Sequence, residues 1–323
     1  MRAANLSSHP LHSEAFMNSA GTKYLDPVAL AKLKNLGLAA RLVVEGLFAG
    51  QHRSPHKGFS IEFAEHRQYV PGDETRYLDW KLLAKRDRLY LKQYEEQTSL
   101  RCFLVVDASR SMAYRHGGSM SKLEYACYSA ASLAFLMQSQ HDAYGLQVCD
   151  TKVRLTVPPR QGKGHLHAVM QALESVEAEG ETDLPAALHT LAEGIHRRGL
   201  VIVLSDCFGG QADPDPLLKA LVHLRHRKHE VIVLQILDPA ELTFPFTDAG
   251  QIEDQETGRI ITADAEAVRR HYLASIGNYL DALKLGCQSR QIGYVLADTS
   301  QPFHEFLATY LTRRQGLGRA NVG

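Results

Sequence analysis

Apolar positions along the chain form two patterns: short unbroken runs, and longer stretches in which apolar residues recur every three or four positions. Short runs bounded by turn formers are typical of buried strands, whereas the longer spacing is typical of helices with one buried face. The runs predict strands at residues 100–106, 144–149, 152–157, 200–205, 231–237 and 292–296, of which the second and third form a hairpin. The helical spacing predicts helices at residues 122–138, 165–174, 184–195, 214–227, 265–285 and 303–313. Because strands and helices alternate, the sequence predicts an α/β fold with a doubly wound, mostly parallel sheet covered by helices on both faces.

The chain before residue 98 follows a different pattern. Asp26 and Pro27 provide a helix cap and a first-turn proline, and apolar residues continue that helix towards Gly46. Alternating apolar and polar residues then predict strands at residues 59–63 and 89–94.

These patterns divide the chain into segments. We expect residues 1–25 to be disordered or loosely held, residues 26–97 to form a helix with a small β-rich extension, and residues 98–315 to form the α/β domain. Turn formers at about residues 239–263 predict a hairpin insertion in that domain, and residues 316–323 read as a loose tail.

Polar residues follow two of the predicted strands. Asp107, Ser109 and Ser111 come directly after the first apolar run of the domain, and Asp206 closes the run at residues 200–205. The carboxyl ends of parallel strands face one crevice, which is where ligands bind in such sheets. With Thr182, these side chains offer hydroxyl and carboxylate oxygens, which are the ligands that Mg²⁺ prefers.

Taken alone, the Asp-x-Ser-x-Ser segment has a simpler explanation. Asp and Ser are common in strand-end loops, where they form turns and cap the following helix. The presence of Thr182 and Asp206 at compatible places along the chain favours a metal site over turn chemistry.

The five residues resemble the metal-ion-dependent adhesion site of the von Willebrand factor A family, whose pattern is Asp-x-Ser-x-Ser, a distant Thr and a distant Asp. The resemblance implies a bound Mg²⁺, with Mn²⁺ as an alternative. If Ser109, Ser111 and Thr182 ligate through neutral oxygens and the aspartates act through waters, the ion keeps a positive charge. An open coordination position would then attract a carboxylate from a partner protein.

A second segment, residues 58–96, is similar to the signature of the bacterial domain of unknown function 58 family. The matching positions are Arg67, Tyr69, Pro71, Gly72, Asp73, Arg76, Asp79, Trp80, Ala84, Arg86, Tyr94 and Glu96. The resemblance implies an accessory protein commonly encoded beside a MoxR-type AAA+ ATPase. The residues themselves permit two interpretations: a loop fixed to the core by Arg–carboxylate pairs and a buried Trp80, or a partner-binding surface.

Composition narrows the choice of function. The formal net charge is zero and the pI is about 7.3, so no overall field attracts nucleic acid. The five cysteines fit no zinc spacing and are expected to be free thiols in a reducing compartment. Since the sequence shows neither a signal-peptide core nor a membrane-length apolar run, we expect a cytoplasmic protein without membrane insertion.

Other candidate chemistry is weaker. Residues 160–164 resemble part of a phosphate loop but lack its frame, so no nucleotide site is expected. Cys207 reads as a small core residue, with a thiolate near the metal as the alternative. Several histidines are expected on the solvated surface, namely His165, His167, His223, His226 and His229.

The sequence therefore favours a non-enzymatic, magnesium-dependent adaptor that binds a MoxR-type ATPase, its protein client, or both. The alternative is a metal-dependent hydrolase that uses the same ion as a Lewis acid. The hydrolase lacks an evident general base or second metal cluster in the sequence.

Overall fold

The computed structural model describes residues 36–51, 66–68, 89–92, 101–209, 213–246, 250–253, 260–263 and 265–301. The strands in chain order are β1 (His66–Gln68), β2 (Tyr90–Lys92), β3 (Arg101–Asp107), β4 (Ala143–Cys149), β5 (Val153–Arg160), β6 (Leu200–Ser205), β7 (Glu230–Leu237), β8 (Gly250–Glu253), β9 (Ile260–Ala263) and β10 (Gly293–Asp298). The helices are α1 (Leu36–Gln51), α2 (Lys122–Ser139), α3 (Lys163–Glu174), α4 (Leu184–Gly194), α5 (Asp215–His226), α6 (Pro239–Thr243) and α7 (Ala265–Ser289). A short 3-10 turn, Arg110–Ala113, follows β3.

Six of these strands form one sheet in the order β10–β7–β6–β3–β4–β5. All neighbours are parallel except β4 and β5, which pair antiparallel as the predicted hairpin requires. The chain moves from β3 to β4 on one side and returns to place β6 on the other side of β3. The expected doubly wound, mostly parallel sheet is confirmed, and its topological switch point lies between β3 and β6.

The two faces of the sheet are buried by different helices. On β3, Cys102, Leu104 and Val106 pack in a cluster with residues of α1, α2 and α3. Val105, on the opposite face of the same strand, packs in a second cluster with residues of α4, α5 and α7. Because successive side chains of a strand point to opposite faces, the unbroken apolar run of β3 supplies both cores.

Two compact units make up the chain, one covering Ser54–Ser99 and the other covering Met1–Arg53 with Leu100–Gly323. Helix α1 belongs to the larger unit, where Ala39, Ala40 and Val43 are fully buried. The helix runs to Gln51, so its expected end near Gly46 was wrong, while its expected start at Asp26 lies outside the described residues.

In the smaller unit, β1 and β2 pair antiparallel, with Arg67 opposite Leu91. Strand β2 lies within the strand predicted at residues 89–94, whereas β1 was not predicted. The strand predicted at residues 59–63 and the helix predicted at residues 303–313 lie outside the described residues. So do all the signature positions except Arg67, namely Tyr69, Pro71, Gly72, Asp73, Arg76, Asp79, Trp80, Ala84, Arg86, Tyr94 and Glu96.

Within the predicted insertion, β8 and β9 pair antiparallel and follow the short helix α6. Among the helices that the structure describes, none combines the length and the apolar character needed to cross a bilayer.

Gly145 in β4 provides a test of the sheet edge. A Cβ atom there would lie 2.5 Å from the carbonyl oxygen of Val157 and 2.7 Å from the nitrogen of Pro159, both on the backbone of β5. Gly145→Ala is therefore expected to lower the free energy of unfolding by about 1–3 kcal/mol, measured by urea denaturation. In the control Gly277→Ala, on α7 with open space around it, stability should rise by about 0.5–1 kcal/mol. Equal stability of the two variants would contradict the close approach of β4 and β5.

Candidate metal centre

Asp107 closes β3 at the switch point and is buried. Val106 pairs with Leu204 of β6, so the next residues, Asp107 and Ser205, are neighbours across the two strand ends. The Ser205 hydroxyl donates to Asp107 Oδ2 at 2.6 Å, and the backbone N–H of Ser109 donates to Asp107 Oδ1 at 2.9 Å. Both carboxylate oxygens of Asp107 therefore have a partner, and the second bond folds the chain into the turn that leads to the serines.

Ser109 and Ser111 present their hydroxyls together. Ser109 is fully buried before the 3-10 turn, Ser111 lies within it, and their Oγ atoms are 3.1 Å apart. The predicted proximity of Asp107, Ser109 and Ser111 is present in the structure.

Thr182 lies on a loop that is hydrogen-bonded to the serine turn. The N–H of Glu179 donates to the carbonyl of Ala108, and the N–H of Arg110 donates to the carbonyl of Gly180, each at 2.9 Å. The Thr182 Oγ1 atom is buried, and among the described residues it has no hydrogen-bond partner. A buried hydroxyl without a partner is costly, so among the five predicted residues this is the atom that a ligand would satisfy.

Asp206 follows β6 and is fully buried, with both carboxylate oxygens engaged. Oδ1 accepts from the N–H of Phe208 at 3.0 Å, and Oδ2 pairs with Lys122 Nζ at 2.7 Å. Cys207 adopts a left-handed backbone with φ 61°, which non-glycine residues seldom occupy. The bend at Cys207 directly follows the end of β6. It separates Asp206 from Phe208, whose N–H donates to the Asp206 carboxylate.

Lys122 was not predicted to belong to the site. Its ammonium is 1 % exposed, pairs with Asp206 and also lies 2.7 Å from Glu241 Oε1. The rings of Tyr114 and Phe208 lie 5.8 and 5.9 Å from the ammonium, within cation–π range. One feature of the sequence could have indicated that Lys122 belongs to the site. A lysine at the first position of an apolar helix opposes the helix dipole and needs an anion close by.

The buried charged groups at the strand ends shift one another's pKa values. Burial, followed by the charge of Asp206, raises the pKa of Asp107 to about 6. Burial alone would lower the pKa of Lys122, but Asp206 and Glu241 more than offset it and hold that pKa above its ordinary value. Burial raises the pKa of Glu241 despite the neighbouring ammonium. Lys122 is therefore a permanent internal cation, whereas Asp107 is a carboxylate that a further cation would stabilise in its charged form.

Asp238, at the end of β7, fixes the loop that leads to Lys122. Its carboxylate accepts the backbone N–H groups of His116, Gly117 and Gly118 at 2.9, 2.8 and 3.1 Å. Burial would raise the pKa of Asp238, but these bonds and one from Ala240 lower it. The loop between the 3-10 turn and α2 is thereby tied to the end of β7, close to Glu241.

The five predicted residues, which we call the strand-end site (Asp107, Ser109, Ser111, Thr182 and Asp206), fit a hydroxyl-rich cation site. Ser109 and Ser111 supply adjacent oxygens, and Thr182 supplies a buried oxygen that has no other partner. The two aspartates are already hydrogen-bonded and suit contacts through water. No group of three or more His, Cys, Asp or Glu side chains in the described part of the chain could hold a metal by itself, so this site depends on its hydroxyls.

An open cleft of about 360 Å³ borders the strand-end site. Its apolar part includes Phe208, Leu184 and Tyr279, and its polar part includes Thr182 and the acidic residues Glu181, Asp183 and Asp213. The cleft gives a partner's side chain access to the loop that carries the Thr182 hydroxyl.

The surroundings of Cys207 favour its neutral thiol. Burial, and then the charge of Asp206, raises the pKa of Cys207 well above its ordinary value. The five cysteines are free and buried, which agrees with their interpretation as core thiols.

The prediction that the five singled-out histidines are solvated was wrong for three of them. His229 is 1 % exposed, because the chain turns inward from α5 to begin β7. His223 is half-buried between helices, with its Nδ1 atom 3.0 Å from that of His189 on α4. His165 is half-buried and its Nε2 atom lies 2.6 Å from the carbonyl oxygen of Tyr144.

A family model described as "Protein of unknown function DUF58" matches residues 65–278. The chain belongs to the DUF58 family. The expected membership of this family is confirmed.

Relatives of this DUF58 protein include the uncharacterized protein Rv1480 of Mycobacterium tuberculosis, 28 % identical over 236 residues, covering 72 % of this chain and 73 % of the relative. The uncharacterized protein YeaD of Bacillus subtilis is 39 % identical over 59 residues, covering 18 % of this chain and 15 % of YeaD. Among solved structures, BatB from Bacteroides thetaiotaomicron is 18 % identical with a TM-score of 0.42, covering 66 % of this chain and 98 % of that one. The SpRpn10 VWA domain is 11 % identical with a TM-score of 0.37, covering 65 % and 94 %.

Thr182→Val tests whether the Thr182 hydroxyl lacks a partner within the protein. The substitution keeps the side-chain shape, so in EDTA the free energy of unfolding should stay unchanged or rise by up to about 1 kcal/mol. The matched control is Ser205→Ala, which removes a hydroxyl bonded to Asp107 and to the N–H of Cys207 and should cost about 1–3 kcal/mol. Urea denaturation of both variants measures the difference. A loss for Thr182→Val as large as that for Ser205→Ala would show that the hydroxyl is bonded.

Proposed function

We propose that this DUF58 protein is a non-enzymatic, magnesium-dependent adaptor that binds a partner protein through the strand-end site. The observation that carries the proposal is the buried Thr182 hydroxyl, which has no partner among the described residues and lies on a loop bonded to the serine turn. An oxygen held in this state is ready to ligate a hard cation.

In this proposal Ser109, Ser111 and Thr182 hold Mg²⁺, or Mn²⁺, through neutral hydroxyl oxygens, while Asp107 and Asp206 support the shell through water. When bound, the ion supplies positive charge at an open coordination position. A carboxylate of a partner protein would take that position, and the cleft beside Thr182 would receive the neighbouring part of the partner.

The state of the ionisable groups favours binding over catalysis. Asp107 accepts two hydrogen bonds, and Asp206 and Glu241 share the ammonium of Lys122. A hydrolytic step needs a base that is free to accept a proton, and these carboxylates are already engaged.

The partner we propose is a MoxR-type AAA+ ATPase, its protein client, or both, in the cytoplasm. The support is the DUF58 signature, whose family members are commonly encoded beside such ATPases, together with family membership over residues 65–278. The adaptor would present a client to the ATPase for assembly or activation.

Affinity capture from the native cell extract tests the proposal. Wild type and Asp107→Ala serve as baits in Mg²⁺ and in EDTA, and mass spectrometry identifies the captured proteins. A MoxR-type ATPase or its client should appear with wild type in Mg²⁺ only, because the variant loses the carboxylate that orients the site.

Asp281→Ala, which removes an exposed carboxylate on α7, is the matched control and should capture the same proteins as wild type. Circular dichroism verifies that each bait is folded. Recovery of the same partners in all samples would exclude the strand-end site as the recognition element and direct attention to the signature residues 67–86.

A further inference from the structure

A charge cluster formed by Lys122, Asp206 and Glu241 lies beside the strand-end site and includes one of its five residues. The Lys122 ammonium is 2.7 Å from a carboxylate oxygen of each acid. Lys122 is 1 % exposed, Asp206 is fully buried and Glu241 is 16 % exposed. The ammonium therefore contacts a candidate metal-supporting carboxylate directly, in a place that solvent barely reaches.

The position of Lys122 carries two electrostatic costs. Burial removes the ammonium from water, and the positive end of the α2 dipole lies at the same place, because Lys122 follows the N-cap Ser121. Ser121 and Glu124 form a capping box that fixes this end of the helix. A lysine held here by the fold is a fixed internal counter-ion of Asp206.

We infer that Lys122 acts as a built-in competitor of the metal at the strand-end site and so makes metal binding depend on the partner. This inference rests on the proposed function. A cation that uses Asp206 must share that carboxylate with the ammonium, and repulsion between two cations in a buried place is weakly screened. Lys122 therefore lowers the affinity for Mg²⁺ alone.

The partner's carboxylate would reverse this effect. It adds a negative charge at the open coordination position and offsets the repulsion between the ion and Lys122. Metal and partner would then bind cooperatively, since each raises the affinity for the other by the same factor. Lys122 is thus a specificity-determining residue. It favours the adaptor bound to both metal and partner over the adaptor bound to metal alone.

Magnesium titration of wild type and Lys122→Met tests the inference, with isothermal calorimetry and the thermal unfolding midpoint as readouts. The variant should bind Mg²⁺ at least about tenfold more tightly, because Asp206 loses its competing cation. A purely structural role of Lys122 predicts the opposite, weaker binding through a disordered loop. Lys284→Met, which removes an exposed positive charge on α7, is the matched control and should bind like wild type.

Removing Lys122 leaves two carboxylates without their counter-ion, so the double variant Lys122→Met/Glu241→Gln is measured in parallel. It lacks the ammonium and leaves one carboxylate of the charge cluster, Asp206, and is also expected to bind Mg²⁺ more tightly than wild type. If Lys122→Met folds only when Mg²⁺ is added, as followed by circular dichroism, that result supports the inference as well.

The results separate the inference from the proposed function. Binding by both proteins, tighter in the variant, supports both; binding by the variant alone supports the inference in its strongest form, in which the wild type takes up Mg²⁺ only together with its partner. Equal binding, or weaker binding in Lys122→Met and in the double variant, overturns the inference and leaves the magnesium site in place. If no protein binds Mg²⁺, both are overturned.

Discussion

The parallel pairing of β3 with β6 is the constraint on which the site depends. Both strands are apolar on both faces, so the chain must cover each face with helices, and it does so by winding in opposite directions from this pair. The carboxyl ends of the two strands then lie side by side. Asp107 and Ser205 meet there because the register places Val106 opposite Leu204.

The crevice at the strand ends buries several carboxylates, and the fold gives each one a different set of hydrogen-bond or ion-pair partners. Asp107 receives a hydroxyl and a backbone N–H, Asp238 receives three backbone N–H groups from one loop, and Asp206 receives the ammonium of Lys122. Burying an ion without such partners would cost several kcal/mol. The loops at this edge of the sheet are therefore organised by the need to satisfy carboxylates, whether or not a metal is present.

Local pattern was enough to predict the six strands of the main sheet, most of the described helices and the proximity of Asp107 to the serines, because hydrophobic periodicity and strand-end polarity are properties of neighbouring residues. The pairing of Lys122 with Asp206 and Glu241 spans 84 and 119 positions and depends on how the start of α2, the end of β6 and helix α6 meet, which no local pattern encodes. The inward turn that buries His229 is a tertiary effect of the same kind. Helix α1 continues past Gly46 to Gln51, because a single glycine inside a helix carries only a modest cost.

A count of the charges at the site explains why the buried ammonium of Lys122 favours the docking of an acidic partner. Asp107, Asp206 and Glu241 carry three negative charges and Lys122 carries one positive charge, so a divalent ion brings the group to neutrality. Without Lys122, the same group with its ion would keep one negative charge, which would repel an incoming carboxylate. The lysine that weakens the metal site alone is thus the residue that preserves its attraction for an acidic partner.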